Sequence, residues 1–290
     1  MGQLMARVDV RKTYKLYIAG KFPRSESGRS YEVTDARGRF LANAALASRK
    51  DARDAVLAAR AAFGGWSGAT AYNRGQVLYR VAEMLEGRRA QFVDEVSRGE
   101  GLTARQADRV VDATIDRWVW YAGWSDKVSA IAGSSNPVAG PFFNFSTPEP
   151  TGVVAVVAPQ KSSLLGLVSV VGPAIVTGNT CVVLASQTTP LPAITLAEAL
   201  ATSDLPGGVV NVLTGRVDEV APWLASHMDV NGLDLAGAGL LGMDLEATAA
   251  DNVKRVLRPV DPDHDWAETP SPARMLAHLE TKTVWHPVGV

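Results

Sequence analysis

The stretch from Thr151 to Gln187 constrains what this chain can fold into more than any other. It opens with Val153-Val154-Ala155-Val156-Val157, runs apolar from Leu164 to Val176, and closes with Thr180-Cys181-Val182-Val183-Leu184. Two valine-rich runs that are apolar at every position suit parallel strands buried on both faces. The segment between them is long enough for a helix, so the unit is β-α-β. Downstream the pattern repeats: helix 192–201 leads to strand 209–213, helix 218–227 to strand 231–235, and helix 240–252 to strand 253–257. Five strands alternating with helices predict an α/β fold with a doubly wound parallel sheet.

Bulk properties exclude several function classes. A formal net charge of −1 gives no electrostatic reason to expect nucleic acid or an anionic membrane as partner. The single cysteine, Cys181, cannot form an internal disulfide and fits a reducing cytosol. The apolar run 164–176 is too short to span a bilayer and contains Gly172 and Pro173. Gly2 is followed by Ala6 where myristoylation requires Ser or Thr, and no apolar signal core follows. A cytoplasmic protein without a membrane anchor is expected.

Ahead of the β-α-β unit, residues 1–12 read as a polar lead-in and 16–22 as a strand and turn punctuated by Gly20. Ser48 is placed to cap a helix bearing Ala52, Val56, Ala59, Ala62 and Phe63 at helical spacing. Further helices are expected over 72–85, 90–97 and 103–128. The last carries Trp118, Trp120, Tyr121 and Trp124, which are assigned to core packing in preference to a ligand platform. Residues 140–150 read as an exposed strand, with Phe143 and Phe145 on one face and Phe142, Asn144 and Ser146 on the other. Such an edge is suited to adding a strand from another chain, the alternative being a strand within its own sheet.

Several motifs resemble the aldehyde dehydrogenase superfamily. The frame residues are Pro150-Thr151-Gly152-Val153-Val154, Gly178-Asn179-Thr180 and Leu205-Pro206-Gly207-Gly208-Val209, continuing to Gly215. In that family a Pro-Trp-Asn turn follows the first strand, its asparagine donating to the substrate oxyanion. A Lys-Pro-Ser-Glu turn follows the second, its lysine and glutamate holding the adenosine ribose. Here those turns read Pro159-Gln160-Lys161 and Leu184-Ala185-Ser186-Gln187, so Pro159 and Ser186 are kept while the asparagine, lysine and glutamate are replaced. The resemblance covers roughly residues 16–255 and implies a Rossmann-like sheet with N-terminal helices and a protruding β-flap.

Gly237-Ala238-Gly239-Leu240-Leu241-Gly242 matches G-x-G-x-x-G, with Asp261 about twenty residues on. The family has Gly-Ser-Thr-Glu-Val-Gly here, so only Gly237 and Gly242 match it. Pro159, Ser186, Gly237 and Gly242 are therefore the vestigial cofactor positions. The resemblance implies no retained cofactor, or NAD or NADP held weakly. After Arg255 the family continues into Glu-Leu-Gly-Gly-Lys, whose glutamate is the general base, and then into a catalytic domain with the nucleophilic cysteine. This chain instead runs through Pro259, Asp261, Asp263, His264 and Asp265 to Glu280-Thr281-Lys282-Thr283-Val284-Trp285, which resembles the family's terminal strand.

No catalytic residue is assigned, since Cys181 falls inside a predicted buried strand. No metal is expected, because His264 and its neighbouring aspartates lack ligand spacing, and His227, His278 and His286 are scattered. The implied domains are 1–126 with 151–258 as a dinucleotide-binding-like unit, and 127–150 with 274–290 as an oligomerisation flap and tail. Residues 259–273 would be a linker in place of the catalytic domain. The function expected is that of an inactive structural or regulatory subunit beside a full-length aldehyde dehydrogenase. Contact would be made through Phe142-Phe143-Asn144-Phe145-Ser146 and Lys282-Thr283-Val284-Trp285. The alternative is an NAD(P)-dependent oxidoreductase component that completes its site with a partner.

Overall fold

The computed structural model describes residues 12–288, so the lead-in expected over 1–12 lies, apart from Lys12, outside the described residues. Strands β1 (Thr13–Tyr14), β2 (Ser30–Thr34) and β3 (Phe40–Ala45) form a small sheet in the order β1-β3-β2. Helices α1 (Arg49–Gly68), α2 (Ala71–Glu86), α3 (Arg89–Glu100), α4 (Ala104–Trp124) and α5 (Val128–Ala132) follow, then β4 (Ser134–Asn136) and β5 (Phe142–Pro150). The alternating part comprises β6 (Val153–Val157), α6 (Leu165–Val176), β7 (Thr180–Leu184), α7 (Leu191–Leu200), β8 (Val210–Leu213) and α8 (Val217–Ser226). It continues with β9 (Gly232–Asp234), α9 (Gly242–Ala250) and β10 (Arg255–Leu257). The chain ends with α10 (Ala273–Ala277) and β11 (Leu279–Pro287).

The central sheet has the order β10-β9-β6-β7-β8 with every pair parallel. The expected doubly wound α/β sheet is therefore present. All five residues of β6 and of β7 are buried, which explains why their sequences do not alternate. Helix α6 is buried along its whole length, so it carries no polar face. Trp118 and Tyr121 are buried on α4, as assigned, and the Tyr121 hydroxyl donates to the Ser169 carbonyl of α6 at 3.3 Å. Ser48 caps α1 as expected: its hydroxyl accepts from Lys50 and Asp51 N–H groups, and the Asp51 carboxylate accepts the Ser48 N–H at 2.8 Å. Among the described residues no helix is long and apolar enough to cross a membrane.

Four expectations need correction. The segment 16–22 is no regular strand; it makes single bridges, Tyr17 to Val212 and Ile18 to Lys21, around a tight turn. Ala19 and Gly20 both have positive φ there (53° and 78°), the geometry of a two-residue hairpin turn. The helix over 103–128 is two helices, because α4 stops at Trp124 and α5 starts at Val128. Strand β10 begins at Arg255, not Val253, since Val253 has φ 56° and belongs to the close of α9. Finally, β5 is no edge strand. It is the middle of a three-stranded sheet, order β11-β5-β4, pairing with β11 antiparallel from Leu279–Pro150 to Pro287–Phe142. Phe143 and Phe145 do share a face, their rings 5.8 Å apart, and Phe142 meets Trp285 edge-on at 5.7 Å. The sheet's open edges are those of β4 and β11.

Candidate functional site

The chain winds from β6 outward to β7 and β8, then crosses back to β9 and β10 on the other side of β6. The carboxyl ends of β6 and β9 are thus the point where the winding reverses, the place where open α/β sheets bind ligands. A cleft of about 380 Å³ opens there, lined by Gln160, Lys161, Gly237, Gly239, Asp263 and Trp266 among others. Pro159 also lines it, while Ser186 and Gly242 do not.

Each of the four vestigial positions has a structural task. The Gly237 N–H donates to the Val157 carbonyl at 2.8 Å, and a β-carbon at Gly237 would stand 1.8 Å from the Ala158 oxygen. Only glycine permits that approach of the β9 turn to the end of β6. A β-carbon at Gly242 would lie 2.2 Å from the Pro259 ring, which covers the amino end of α9. Ser186 Oγ donates to the Gln160 carbonyl at 2.8 Å and accepts the Thr189 N–H at 3.2 Å. Pro159 lies in the turn after β6, next to Gln160, and its ring packs against the start of α6, 3.0 Å from where a β-carbon at Gly166 would stand.

Gln160, which sequence reasoning passed over, ties the turns after β6 and β7 together. Its Nε2 donates to the Ala158 carbonyl at 2.7 Å and its Oε1 accepts the Gln187 N–H at 2.9 Å. The Gln187 side chain turns the other way, its Oε1 accepting the Val217 N–H at 3.2 Å. Leu184 is fully buried. The signal in the sequence was a polar side chain in the turn after β6, and its partner lies 27 residues on.

Lys161, at the oxyanion-donor position, donates to Asp263 Oδ1 at 2.5 Å, both side chains being exposed. The segment after Leu257 is pinned to the sheet as well. Buried Arg117 of α4 donates to the carbonyls of Trp266 and Glu268, each at 2.8 Å, and to Ser169 Oγ at 2.6 Å. Arg274 pairs with the buried Asp234 and lies over the Trp266 ring, 5.4 Å from its centroid. Trp266 itself is buried, and Val260 N–H donates to the Ala236 carbonyl. The stretch expected to be a linker is therefore a wall of the cleft. Its anchors escaped the sequence reading because Arg117 and Ser169 lie about 100 or more residues away.

At the mouth of α6, Glu100 accepts both the N–H and the hydroxyl of Ser163, at 2.7 and 2.6 Å, and burial pushes its carboxyl above the ordinary range. Cys181 is the second residue of β7, at the end of the strand away from the cleft, and is completely buried. That burial pushes its thiol far above the ordinary range. His264 packs edge-on against Trp266, and among the described residues no three His, Cys, Asp or Glu side chains converge as metal ligands.

Comparison with known proteins places this geometry. A sequence profile of the aldehyde dehydrogenase family matches residues 22–258. Retinal dehydrogenase 2 of Gallus gallus is 34% identical over 255 residues, covering 86% of this chain and 48% of that protein. Aldehyde dehydrogenase, cytosolic 1, of Elephantulus edwardii is 33% identical over 258 residues, covering 87% and 51%. The NAD+ complex of aldehyde dehydrogenase from Bacillus cereus superposes with a TM-score of 0.80 at 28% identity, covering 84% of this chain and 50% of that one. The chain thus spans about half the length of the relatives it matches. On sequence and fold together, it belongs to the aldehyde dehydrogenase family.

Proposed function

We propose that this chain is a shortened, catalytically inactive member of the family, serving in the cytoplasm as a structural or regulatory subunit beside a full-length aldehyde dehydrogenase. The observation that carries the reading is the Gln160 bridge between the turns after β6 and β7. In the family the side chains of those turns hold adenosine ribose and the substrate oxyanion. The residues present do not fit a dinucleotide. Leu184 is buried and apolar, the Gln187 side chain is engaged with Val217, and Pro259 crowds Gly242 at the start of α9. Cys181 cannot serve as nucleophile from inside β7, and Lys161 is paired with Asp263. No step of hydride transfer is assigned to this chain.

The partner reading rests on the sheet β11-β5-β4. Phe143 and Trp285 are exposed on it, and among the described residues no strand pairs with the outer edge of β11. In the family such a sheet extends the catalytic-domain sheet of another subunit, an edge that a second copy of this segment does not supply. Co-expression with a full-length homologue followed by size exclusion is the test. Co-elution is expected, and loss of it with Phe143→Glu or Val284→Glu. A stable monomer indifferent to the homologue and to both replacements would sink the proposal.

A second reading is a redox component that completes its site with a partner. It is favoured by the open cleft at the winding reversal and by the NAD+ bound in the Bacillus cereus relative. NAD-dependent turnover that requires both chains, and is absent from the homologue alone, would select it.

A further inference from the structure

Away from the ends of β6 and β9, the first turns of α1 and the last turns of α8 enclose a second cavity of about 430 Å³. Its walls include Arg49, Lys50 and Arg53 on one side and Trp223, Leu224 and His227 on the other. That volume is in the range of small-molecule sites. Arg49 and Arg53 are four residues apart and so share a face of α1, while Trp223 in the last turn of α8 and His227, the residue that caps that helix, line the cavity with them.

The polar groups are available for a ligand. The Arg49 guanidinium carbon lies over the Trp223 ring, 3.3 Å from its centroid, and no carboxylate pairs with it among the described residues. Among the described residues Lys50 and Arg53 pair with exposed Glu26 and Asp54, at 3.2 and 2.8 Å. Exposed pairs of this kind hold weakly and exchange for a ligand's anion. His227 Nδ1 accepts the Asp229 N–H at 3.2 Å, and burial holds the ring's pKa below its ordinary value, so Nε2–H is its remaining donor. The backbone N–H groups of Lys50 and Asp51 are already taken by the Ser48 hydroxyl, so attraction in this cavity comes from side chains and not from the helix end.

We propose that this cavity binds a phosphate carried on a flat ring, the class of a nucleoside or aryl monophosphate. Arg49 and Trp223 form the stacking wall, a guanidinium plane being a good surface for a ring. Arg53 and Lys50 meet the phosphate, and Leu224 supplies an apolar floor.

The test is calorimetry of the full chain at low salt with AMP, adenosine and inorganic phosphate as separate probes. AMP is expected to bind about tenfold or more tightly than either of its halves. Arg49→Gln and Trp223→Leu are each expected to weaken AMP about tenfold, with circular dichroism showing the fold retained. AMP is also half of a dinucleotide, so the variants locate the site: binding at the ends of β6 and β9 would be the same in both. Binding of AMP no tighter than phosphate, AMP affinity unchanged by both replacements, or no binding of AMP at millimolar concentration would each overturn the proposal.

Discussion

Gln160 Oε1 accepts the backbone N–H of Gln187 at 2.9 Å, closing the space between two turns whose strands are neighbours in the sheet. Removing the amide with Gln160→Ala leaves the Gln187 N–H and the Ala158 carbonyl without this partner, at a cost of about 1–3 kcal/mol if they stay dry. Urea unfolding should show it as a lower midpoint at unchanged slope.

The same turns set the expectation for dinucleotides. Leu184 and Gln187 lack the ammonium and carboxylate that grip ribose in the family. Losing two charge-assisted contacts at about 1.5–3 kcal/mol each would weaken binding a hundredfold or more. Calorimetry with NAD and NADP should give no low-micromolar dissociation constant. Finding one would return the loop from Gly237 to Gly242 to the status of a working site.

Cys181 offers a separate check on the proposed inactivity. Buried completely in β7, its thiol should resist aromatic disulfide reagents in the native protein and react only as the chain opens. Aldehyde oxidation by the pure chain should be absent. The loss of an oxyanion donor alone is worth about 3–4 kcal/mol of barrier. Cofactor-dependent turnover that Cys181→Ala abolishes would contradict this.

The parallel sheet was legible because β6 and β7 are buried on both faces, so burial is written into every residue of Val153–Val157 and Thr180–Leu184. β2 and β3 were missed because Ser30–Thr34 and Phe40–Ala45 show little apolar contrast, and their pairing depends on the turn between them. At the site, the replaced positions Lys161, Leu184 and Gln187 could be named from the chain alone. What those residues touch could not: the Lys161–Asp263 pair joins positions 102 apart, and Arg117 reaches 149 residues to the Trp266 carbonyl. Side-chain contacts over such separations exist only after the sheet has brought the segments together.

His278 predicts a specific acid sensitivity. It is buried just before β11, and neither ring nitrogen has a hydrogen-bond partner among the described residues. Burial pushes its pKa down from 6.5 to about 4, with Asp234 opposing and Arg274 and Arg255 assisting. Above pH 6.5 the ring is neutral folded and unfolded, and it contributes no pH dependence. As pH falls from 6.5 towards 4, the unfolded chain takes up a proton that the folded chain does not, so stability drops by about 1.4 kcal/mol per pH unit. The loss reaches about 3 kcal/mol near pH 4. His278→Leu should remove this component, so the difference in unfolding free energy between the two proteins should change across that window. A difference independent of pH would show that the imidazole does not titrate as its burial requires.

Val253 marks a place where the fold tolerates strain. The Val253 N–H donates to the Ala250 carbonyl at 3.2 Å and the Lys254 N–H to the Ala249 carbonyl at 3.3 Å. These are the paired bonds of a Schellman cap, which needs a left-handed residue at the position Val253 fills with φ 56°. Glycine is usual there, and a β-branched residue is poorly suited, with a left-handed backbone costing roughly 1–2 kcal/mol. Its side chain is 89% exposed, so little packing offsets the strain. Val253→Gly should therefore raise stability by about 0.5–1 kcal/mol after allowing for the greater freedom of glycine in the unfolded chain. Val253→Asn should fall between the two, because asparagine enters this region more readily than valine. Thermal unfolding of the three proteins orders them directly. A glycine variant less stable than the wild type would mean that the valine side chain makes a stabilising contact despite its exposure.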